Sequence, residues 1–111
     1  MNCIFCQIAK KELSASIIYE DKKVVAFKDI NPIAPIHYLI IPKKHIASVN
    51  HLEPQDKELM GELFLAAKEI AKKEGIADNG YRLVFNVGKE SGQMVDHLHL
   101  HLLGGKKLSW L

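Results

Sequence analysis

Three histidines alternate with leucine near the end of the chain, where residues 97–103 read His-Leu-His-Leu-His-Leu-Leu. A period of two is typical of a β-strand, whose successive side chains point to opposite faces of a sheet. We predict a strand over these residues, with the leucines buried and the histidine rings in one row about 6.5–7 Å apart. The alternative is a half-buried strand whose solvent face carries histidine without a chemical role. A row of imidazoles suits metal binding, or phosphoryl transfer with one ring as nucleophile and its neighbours as donors.

The 111 residues suit a single domain, residues 1–111, with a small core and a tail at 106–111 that contains Trp110. The formal net charge of +2 is too small to indicate nucleic-acid binding by bulk electrostatics. No apolar segment is long enough to span a membrane, and residues 1–6 do not resemble a secretory signal. We therefore expect a cytoplasmic protein. In that reducing compartment Cys3 and Cys6 are thiols or metal ligands rather than a structural disulfide.

The rest of the chain predicts an α+β fold. Four further strands are expected at residues 17–21, 24–30, 37–42 and 81–87, the third of them central because it is almost wholly apolar. A long helix begins with Pro54 and ends at Gly75. Its buried stripe is predicted to contain Leu59, Met60, Leu63, Ala67, Ile70 and Ala71. A short helix is predicted at the Cys-x-x-Cys pair and the residues after it, with Ile4, Phe5 and Ile8 on its apolar side. The short turns between strands favour antiparallel pairing.

His99 is the best candidate for a nucleophile because a histidine flanks it on each side of the row. An attacking imidazole must present a neutral nitrogen, so its other ring nitrogen should donate to a fixed acceptor such as a backbone carbonyl. The glycines at 88 and 92 allow backbone N–H groups to approach an anion closely. These residues predict attack on phosphorus through a covalent phospho-histidine, which water then hydrolyses.

Residues 97–103 resemble the His-φ-His-φ-His-φ-φ signature of the histidine-triad (HIT) superfamily, in which φ is hydrophobic. Other segments are similar to its Hint branch, the histidine-triad nucleotide-binding proteins. These segments are residues 27–30, 34–37, 41–46, 80–82, 86–88, 92–93 and 103–105. The resemblance covers residues 4–110 and implies a HIT-like fold, with a five-stranded antiparallel sheet, one long helix and one short helix. It also implies a homodimer whose two sheets join into one of ten strands.

The resemblance implies an enzyme that hydrolyses purine nucleoside phosphoramidates or acyl-nucleotides and releases a nucleoside monophosphate. His99 would form the nucleotidyl intermediate, with His101, His97 and His37 completing the catalytic set and no cofactor required for catalysis. Two alternatives stay open within the superfamily. One is a purine-nucleotide-binding regulatory or scaffolding protein with little catalysis, and the other is a dinucleoside polyphosphate hydrolase.

The same resemblance implies a nucleotide site. His99, His101 and Asn86 would contact the α-phosphate, helped by Gly92, Gln93, Met94 and Val95. Asp29 would accept hydrogen bonds from the ribose hydroxyls. The base pocket would be lined by Ile4, Phe5, Ile8, Phe27, Ile30 and Leu39. Without the resemblance, Asp29 and Asn86 could equally be ordinary turn residues.

Met94 departs from the pattern of many Hint proteins, which carry a serine directly after the Gly-Gln pair. A methionine offers no proton to a leaving group. We therefore expect reduced or altered turnover of phosphoramidates. Leaving groups that need no proton, such as acyl carboxylates, are expected to be favoured.

Cys3 and Cys6, together with two histidines, would complete a closed tetrahedral zinc site. Some bacterial members of the family are similar in this respect, and the matching histidines here are His45 and His97, with His51 as a substitute for either. The alternative is a pair of thiols without metal. A third possibility, that the histidine row itself binds zinc, is disfavoured because rings nearly 7 Å apart cannot easily share one ion.

Overall fold

The computed structural model describes residues 3–110 and shows one five-stranded antiparallel sheet, as the sequence predicted. Its strands are β1 (Ile17–Glu20), β2 (Val24–Lys28), β3 (Ile36–Pro42), β4 (Tyr81–Phe85) and β5 (Leu100–Gly104). They lie in the order β1-β2-β3-β5-β4, so β3 occupies the centre and β1 and β4 form the two edges. Three predicted strands end early, since β1 stops at Glu20, β2 at Lys28 and β4 at Phe85.

Two α-helices accompany the sheet, α1 (Ile4–Ala9) and α2 (Lys57–Lys73). The chain enters α2 through a 3-10 turn at Pro54–Asp56, so the predicted start at Pro54 is a tighter turn before the α-helix. The Asp56 carboxylate accepts from the backbone N–H of Glu53 at 2.9 Å and stabilises this entry. The predicted stop is confirmed at Gly75, which adopts a φ of +74°. Within residues 3–110 no helix is both long and apolar enough to cross a membrane.

The two faces of the sheet bury separate apolar clusters. Helix α2 covers one face with Leu63, Ala66, Ala67, Ile70 and Ala71, four of which the periodicity predicted. Leu98, Leu100 and Leu102 contribute to the same cluster, so the leucines of the histidine segment do face the main core. Helix α1 lies on the opposite face, where it contributes Phe5 and Ile8. The histidines therefore lie on the face covered by α1.

Strand β5 is shorter than predicted, because it begins at Leu100 rather than His97. Its register with β3 pairs Ile40 with Leu100, which would bring Pro42 opposite Leu98. Proline has no N–H to donate to a strand ladder. The N–H of Leu98 instead donates to the carbonyl of Ile46 at 2.6 Å. The alternation of faces continues through residues 97–99, but their backbone has left the sheet.

Candidate active site

His99 is held in one tautomer by the backbone of its own segment. Its Nδ1 lies 2.7 Å from the carbonyl oxygen of His97. Because a carbonyl only accepts, Nδ1 carries the proton and Nε2 keeps a lone pair. The ring of Phe5 packs edge-on against His99 at a centroid distance of 5.2 Å and fixes its plane. The arrangement matches the expected requirement for an imidazole nucleophile.

A chain of hydrogen bonds sets the proton positions on the other two rings of the site. The N–H of Ile33 donates to Nδ1 of His37 at 3.2 Å, so the proton of that ring is on Nε2. This Nε2–H lies 2.9 Å from Nδ1 of His101, which must accept. His101 therefore carries its proton on Nε2. That atom is buried and is the one buried side-chain nitrogen or oxygen within residues 3–110 that lacks a hydrogen-bond partner.

The electrostatics favour neutral rings at both positions. Burial lowers the pKa of His101 to about 4, and the nearby rings of His99 and His37 add to the effect. Burial also lowers the pKa of His37, while the Asp29 carboxylate opposes this shift. Neutral rings at pH 7 preserve the donor–acceptor order along the chain. An unpaired N–H is thus presented next to the lone pair of His99, since the two rings lie 5.0 Å apart.

Asp29 has the turn role that the sequence left open, and it also borders the histidine rings. Its Oδ1 accepts from the N–H of Asn31 at 2.8 Å, as in an ordinary turn. Its Oδ2 lies 3.3 Å from Nε2 of His37, so the carboxylate also borders the histidine chain. A carboxylate has lone pairs beyond these two contacts. The position leaves acceptor capacity for a ligand hydroxyl.

Residues 88–95 form a turn that we call the glycine loop. Gly88 and Gly92 have φ values of +84° and +93°, which glycine adopts without strain. The side chain of Gln93 braces this loop: Oε1 accepts from the N–H of Gly88 at 2.8 Å, and Nε2 donates to the carbonyls of Ala47 and Val95 at 2.8 and 3.0 Å. The Gln93 amide therefore supports the loop from within.

Most of the predicted base pocket forms one cluster. Phe5, Ile8, Phe27 and Leu39 pack together, with Val95 at the margin. Ile4 and Ile30 lie outside this cluster and are 46% and 91% exposed. Met94 is also 91% exposed, and Asn86 is half-buried just beyond the end of β4.

The sequence analysis missed two members of this apolar cluster, Val25 and Ile41. Each lies two residues from a predicted member on the same strand, Val25 from Phe27 and Ile41 from Leu39. The period of two along these strands was the signal that could have identified them.

The Cys/His cluster, formed by Cys3, Cys6, His45 and His97, lies beside the triad. Nδ1 of His97 is 3.3 Å from the Cys3 sulfur, 3.5 Å from the Cys6 sulfur and 3.2 Å from Nδ1 of His45. The four candidate ligand atoms all lie within 4.8 Å of one another. Two thiols and two imidazoles are the donor set of a structural zinc site.

The ring of His97 is oriented toward this cluster rather than toward His99. Its Nε2 lies 2.8 Å from the carbonyl oxygen of Pro42, which must accept, so the lone pair is on Nδ1 among the sulfurs. The ring is fully buried. The backbone carbonyl of His97 accepts from the candidate nucleophile. His51, the suggested substitute ligand, is elsewhere and pairs with the Ser48 hydroxyl at 2.9 Å.

Backbone groups that orient the rings could not be found from the sequence. The N–H of Ile33 and the carbonyls of Pro42 and His97 each fix a tautomer. Every residue has a carbonyl, and all but proline have an N–H, so no residue pattern marks these groups. Only the folded chain shows which of them meet a histidine.

Comparison with known proteins identifies the family of this chain. The model of the HIT domain family matches residues 10–108. The chain is 50% identical over 103 residues to protein HitA of Neisseria gonorrhoeae, covering 93% of this chain and 95% of that protein. A HIT family hydrolase from Legionella pneumophila superposes with a TM-score of 0.97 at 52% identity, covering 98% and 97% of the two chains. A histidine triad nucleotide-binding protein from Candida albicans superposes with a TM-score of 0.84 at 31% identity, covering 99% and 85%. With its histidine row, its sheet and these matches over nearly its whole length, the chain belongs to the HIT family.

Proposed function

We propose that this protein hydrolyses purine nucleoside phosphoramidates or acyl-nucleotides through a nucleotidyl intermediate on His99. One observation carries the proposal. The carbonyl of His97 holds the His99 proton on Nδ1, while the buried Nε2–H of His101 beside it has no hydrogen-bond partner among the described residues. A buried N–H without a hydrogen-bond partner is unfavourable unless a ligand accepts from it. A phosphate oxygen is a suitable acceptor.

The reaction follows from these proton positions. Nε2 of His99 attacks the α-phosphorus, forming an N–P bond as the bond to the leaving amine or carboxylate breaks. The Nε2–H of His101 donates to the non-bridging oxygens, where negative charge increases in the transition state. Water then attacks the phosphorus and releases the nucleoside monophosphate and the neutral ring. In total, the hydroxyl of water is transferred to phosphorus as the N–P bond to His99 breaks. The proton of water goes to a leaving amine, or to solvent when the leaving group is a carboxylate.

Recognition of the nucleoside is assigned to the two surfaces next to His99. The apolar cluster around Phe5 and Phe27 offers aromatic edges and aliphatic groups to a purine. The carboxylate of Asp29, at the edge of the histidine chain, accepts from the ribose hydroxyls. The names of the solved relatives, a hydrolase in one case and a nucleotide-binding protein in another, support this proposal.

The Cys/His cluster is proposed to hold a structural Zn²⁺. The donor set fits, because Nε2 of His97 donates to the carbonyl of Pro42 and leaves Nδ1 available. Zinc in such a site contributes to folding and leaves no coordination position for a substrate. The reaction at His99 requires no metal.

A homodimer is proposed to form along β4 and the exposed side of α2. Strand β4 is an edge of the sheet, where a second copy can pair with it. Phe64 and Leu65 on α2 are 46% and 66% exposed, and the Phe64 ring packs against Phe85 of β4 at 6.1 Å. Pairing of two β4 strands would create the ten-stranded sheet and cover these side chains.

A second candidate function is nucleotide binding with little catalysis, and Met94 is the observation that favours it. Its side chain has no hydroxyl to protonate a leaving amine. The binding groups of the site do not depend on this residue, since the donor of His101 and the braced glycine loop remain.

Intact-mass spectrometry in a single turnover with an adenosine phosphoramidate tests the proposal. We expect a transient adduct of one adenylyl group on the wild type and none on His99→Ala. His51→Ala is the matched control, because His51 lies outside the site, and it should still form the adduct. Saturable binding of AMP with neither adduct nor hydrolysis would establish the binding protein instead. A dinucleoside polyphosphate in the same assay tests the remaining alternative.

A further inference from the structure

We propose that the Cys/His cluster, when it holds Zn²⁺, positions His99 and the glycine loop, so that metal binding and nucleotide binding strengthen each other. This inference rests on the proposed function, because it assigns a regulator of the same site. Three separate contacts link the cluster to the nucleotide site.

The first contact is made by His97 itself. Its imidazole belongs to the Cys/His cluster, and its carbonyl accepts the Nδ1 proton of His99 at 2.7 Å. A single residue therefore joins a metal ligand to the group that fixes the tautomer of the nucleophile. A shift of the His97 backbone would displace both this carbonyl and Nδ1 among the sulfurs, and ligation of Nδ1 would oppose such a shift.

The second contact passes through α1. Cys3 is the N-cap of this helix, since its sulfur accepts from the N–H of Cys6 at 3.4 Å. Phe5, between the two cysteines, packs edge-on against His99 at 5.2 Å and against Phe27 at 5.3 Å. With only six residues, α1 has little stability of its own. Ligation of both cysteines would fix the helix and with it the ring that packs on His99.

The third contact passes through the segment that follows His45. The carbonyl of Ile46 accepts from the N–H of Leu98 at 2.6 Å, and the carbonyl of Ala47 accepts from the side chain of Gln93 at 2.8 Å. Gln93 in turn braces the glycine loop. A ligated His45 would hold this segment in place, and the segment holds both the loop and the residue before His99.

The effect of each ligand on the binding affinity of the other is reciprocal. If Zn²⁺ raises the affinity for a nucleotide, the nucleotide must raise the affinity for Zn²⁺ by the same factor. We expect a factor of about five or more in each direction. The reaction steps at His99 are unchanged by this coupling.

Calorimetry on the full-length protein tests the inference with AMP and Zn²⁺ as probes. The dissociation constant for AMP is measured on Zn²⁺-loaded and chelator-treated wild type, and the constant for Zn²⁺ with and without saturating AMP. We expect both ratios to be about five or more and to agree. In addition, NMR should show that the Nδ1 proton of His99 exchanges with water faster after chelation.

Cys3→Ser provides an independent way to lose the metal, and His51→Ala is the control that keeps it. Circular dichroism of the chelated wild type shows whether the sheet stays folded, so the test does not depend on the variant folding. Equal AMP affinities in loaded and chelated protein would overturn the coupling and leave the proposed function standing. Absence of stoichiometric Zn²⁺ binding would overturn the coupling and the proposed zinc site, and would leave the proposed reaction at His99 standing. Absence of AMP binding by the loaded protein would overturn the proposed function together with it.

Discussion

Met94 allows the chemistry of the leaving group to be tested at a single residue. Its side chain is 91% exposed, so replacement should leave the fold intact. In Met94→Ser a hydroxyl can supply the proton that a leaving amine needs. We expect kcat for a phosphoramidate to rise about tenfold, less than for a strong general acid because a hydroxyl is a weak one. Turnover of an acyl-nucleotide should change little, because a carboxylate leaves without a proton.

Steady-state kinetics on the two substrates check this prediction. Met94→Ala is the control, because it shortens the side chain without adding a hydroxyl and should behave as the wild type. An unchanged phosphoramidate kcat in Met94→Ser would contradict the assigned role of this position.

The buried ring of His101 predicts a pH dependence of stability. Its pKa is about 4 in the folded protein and near 6.5 when exposed. Between these values the unfolded chain binds a proton that the folded protein does not, so the free energy of unfolding falls as the pH falls. In His101→Gln this contribution is absent. We expect the urea midpoint of the variant to fall less than that of the wild type between about pH 7 and pH 5.

The measurement is urea unfolding followed by circular dichroism at both pH values, with equal metal content in the two proteins. Parallel pH dependence in the wild type and in His101→Gln would show that another group is responsible.

At the scale of elements, two glycines with positive φ predict different sensitivities to the same substitution. Gly75 after α2 has a φ of +74°, and within residues 3–110 an added Cβ would meet no atom closer than 4 Å outside the adjacent backbone. Gly105 after β5 has a φ of +89°, and its Cβ would lie 2.9 Å from Cβ of Pro35. We expect Gly75→Ala to lower the free energy of unfolding by about 1 kcal/mol through backbone strain. Gly105→Ala should lower it by about 2–5 kcal/mol, because the clash with a proline adds to the strain.

Urea unfolding of both variants against the wild type checks this difference. The two variants are matched, because each replaces a glycine of positive φ with alanine. Equal losses would show that the contact with Pro35 relaxes without a penalty.

For the whole molecule, the unpartnered side of α2 predicts that dimerisation depends on apolar contacts. Leu65→Asp places a charge where the proposed dimer buries a leucine, which is unfavourable. We expect the wild type to elute as a dimer and the variant as a monomer in size-exclusion chromatography with light scattering. Leu13→Asp is the matched control: Leu13 is 41% exposed, follows α1, and is not part of the proposed interface, so this variant should remain a dimer. A monomeric wild type, or a dimeric Leu65→Asp variant, would contradict the proposed interface.

The tail after β5 follows the same edge of the molecule. Arg82 of β4 donates to the carbonyl of Ser109 at 2.6 Å, and its guanidinium lies 5.9 Å from the ring centre of Trp110. Trp110 is 82% exposed. Because the tail lies beside the β4 edge, we predict that Trp110 contacts the partner subunit in the proposed dimer.

The sequence by itself determined the parts of this protein that depend on local periodicity and spacing. The alternation of histidine and leucine predicted which side chains face the core, and the apolar stripe predicted the buried face of α2. Both follow from the fixed repeat of a strand or helix, which needs no knowledge of distant residues. The histidine row, together with the other segments that resemble the Hint branch, was enough to identify the family.

Only the tertiary structure decided what each histidine does. His97, His99 and His101 are two residues apart, yet one ring joins the cysteines, one is held by a carbonyl and one meets His37. Their partners include a residue 94 positions away and backbone groups that no residue type marks. A distant residue also explains why β5 begins at Leu100. Its pairing with β3 ends near Pro42, which has no N–H to donate. Hydrogen-bond partners are set by which segments the fold brings together, and a period cannot encode them.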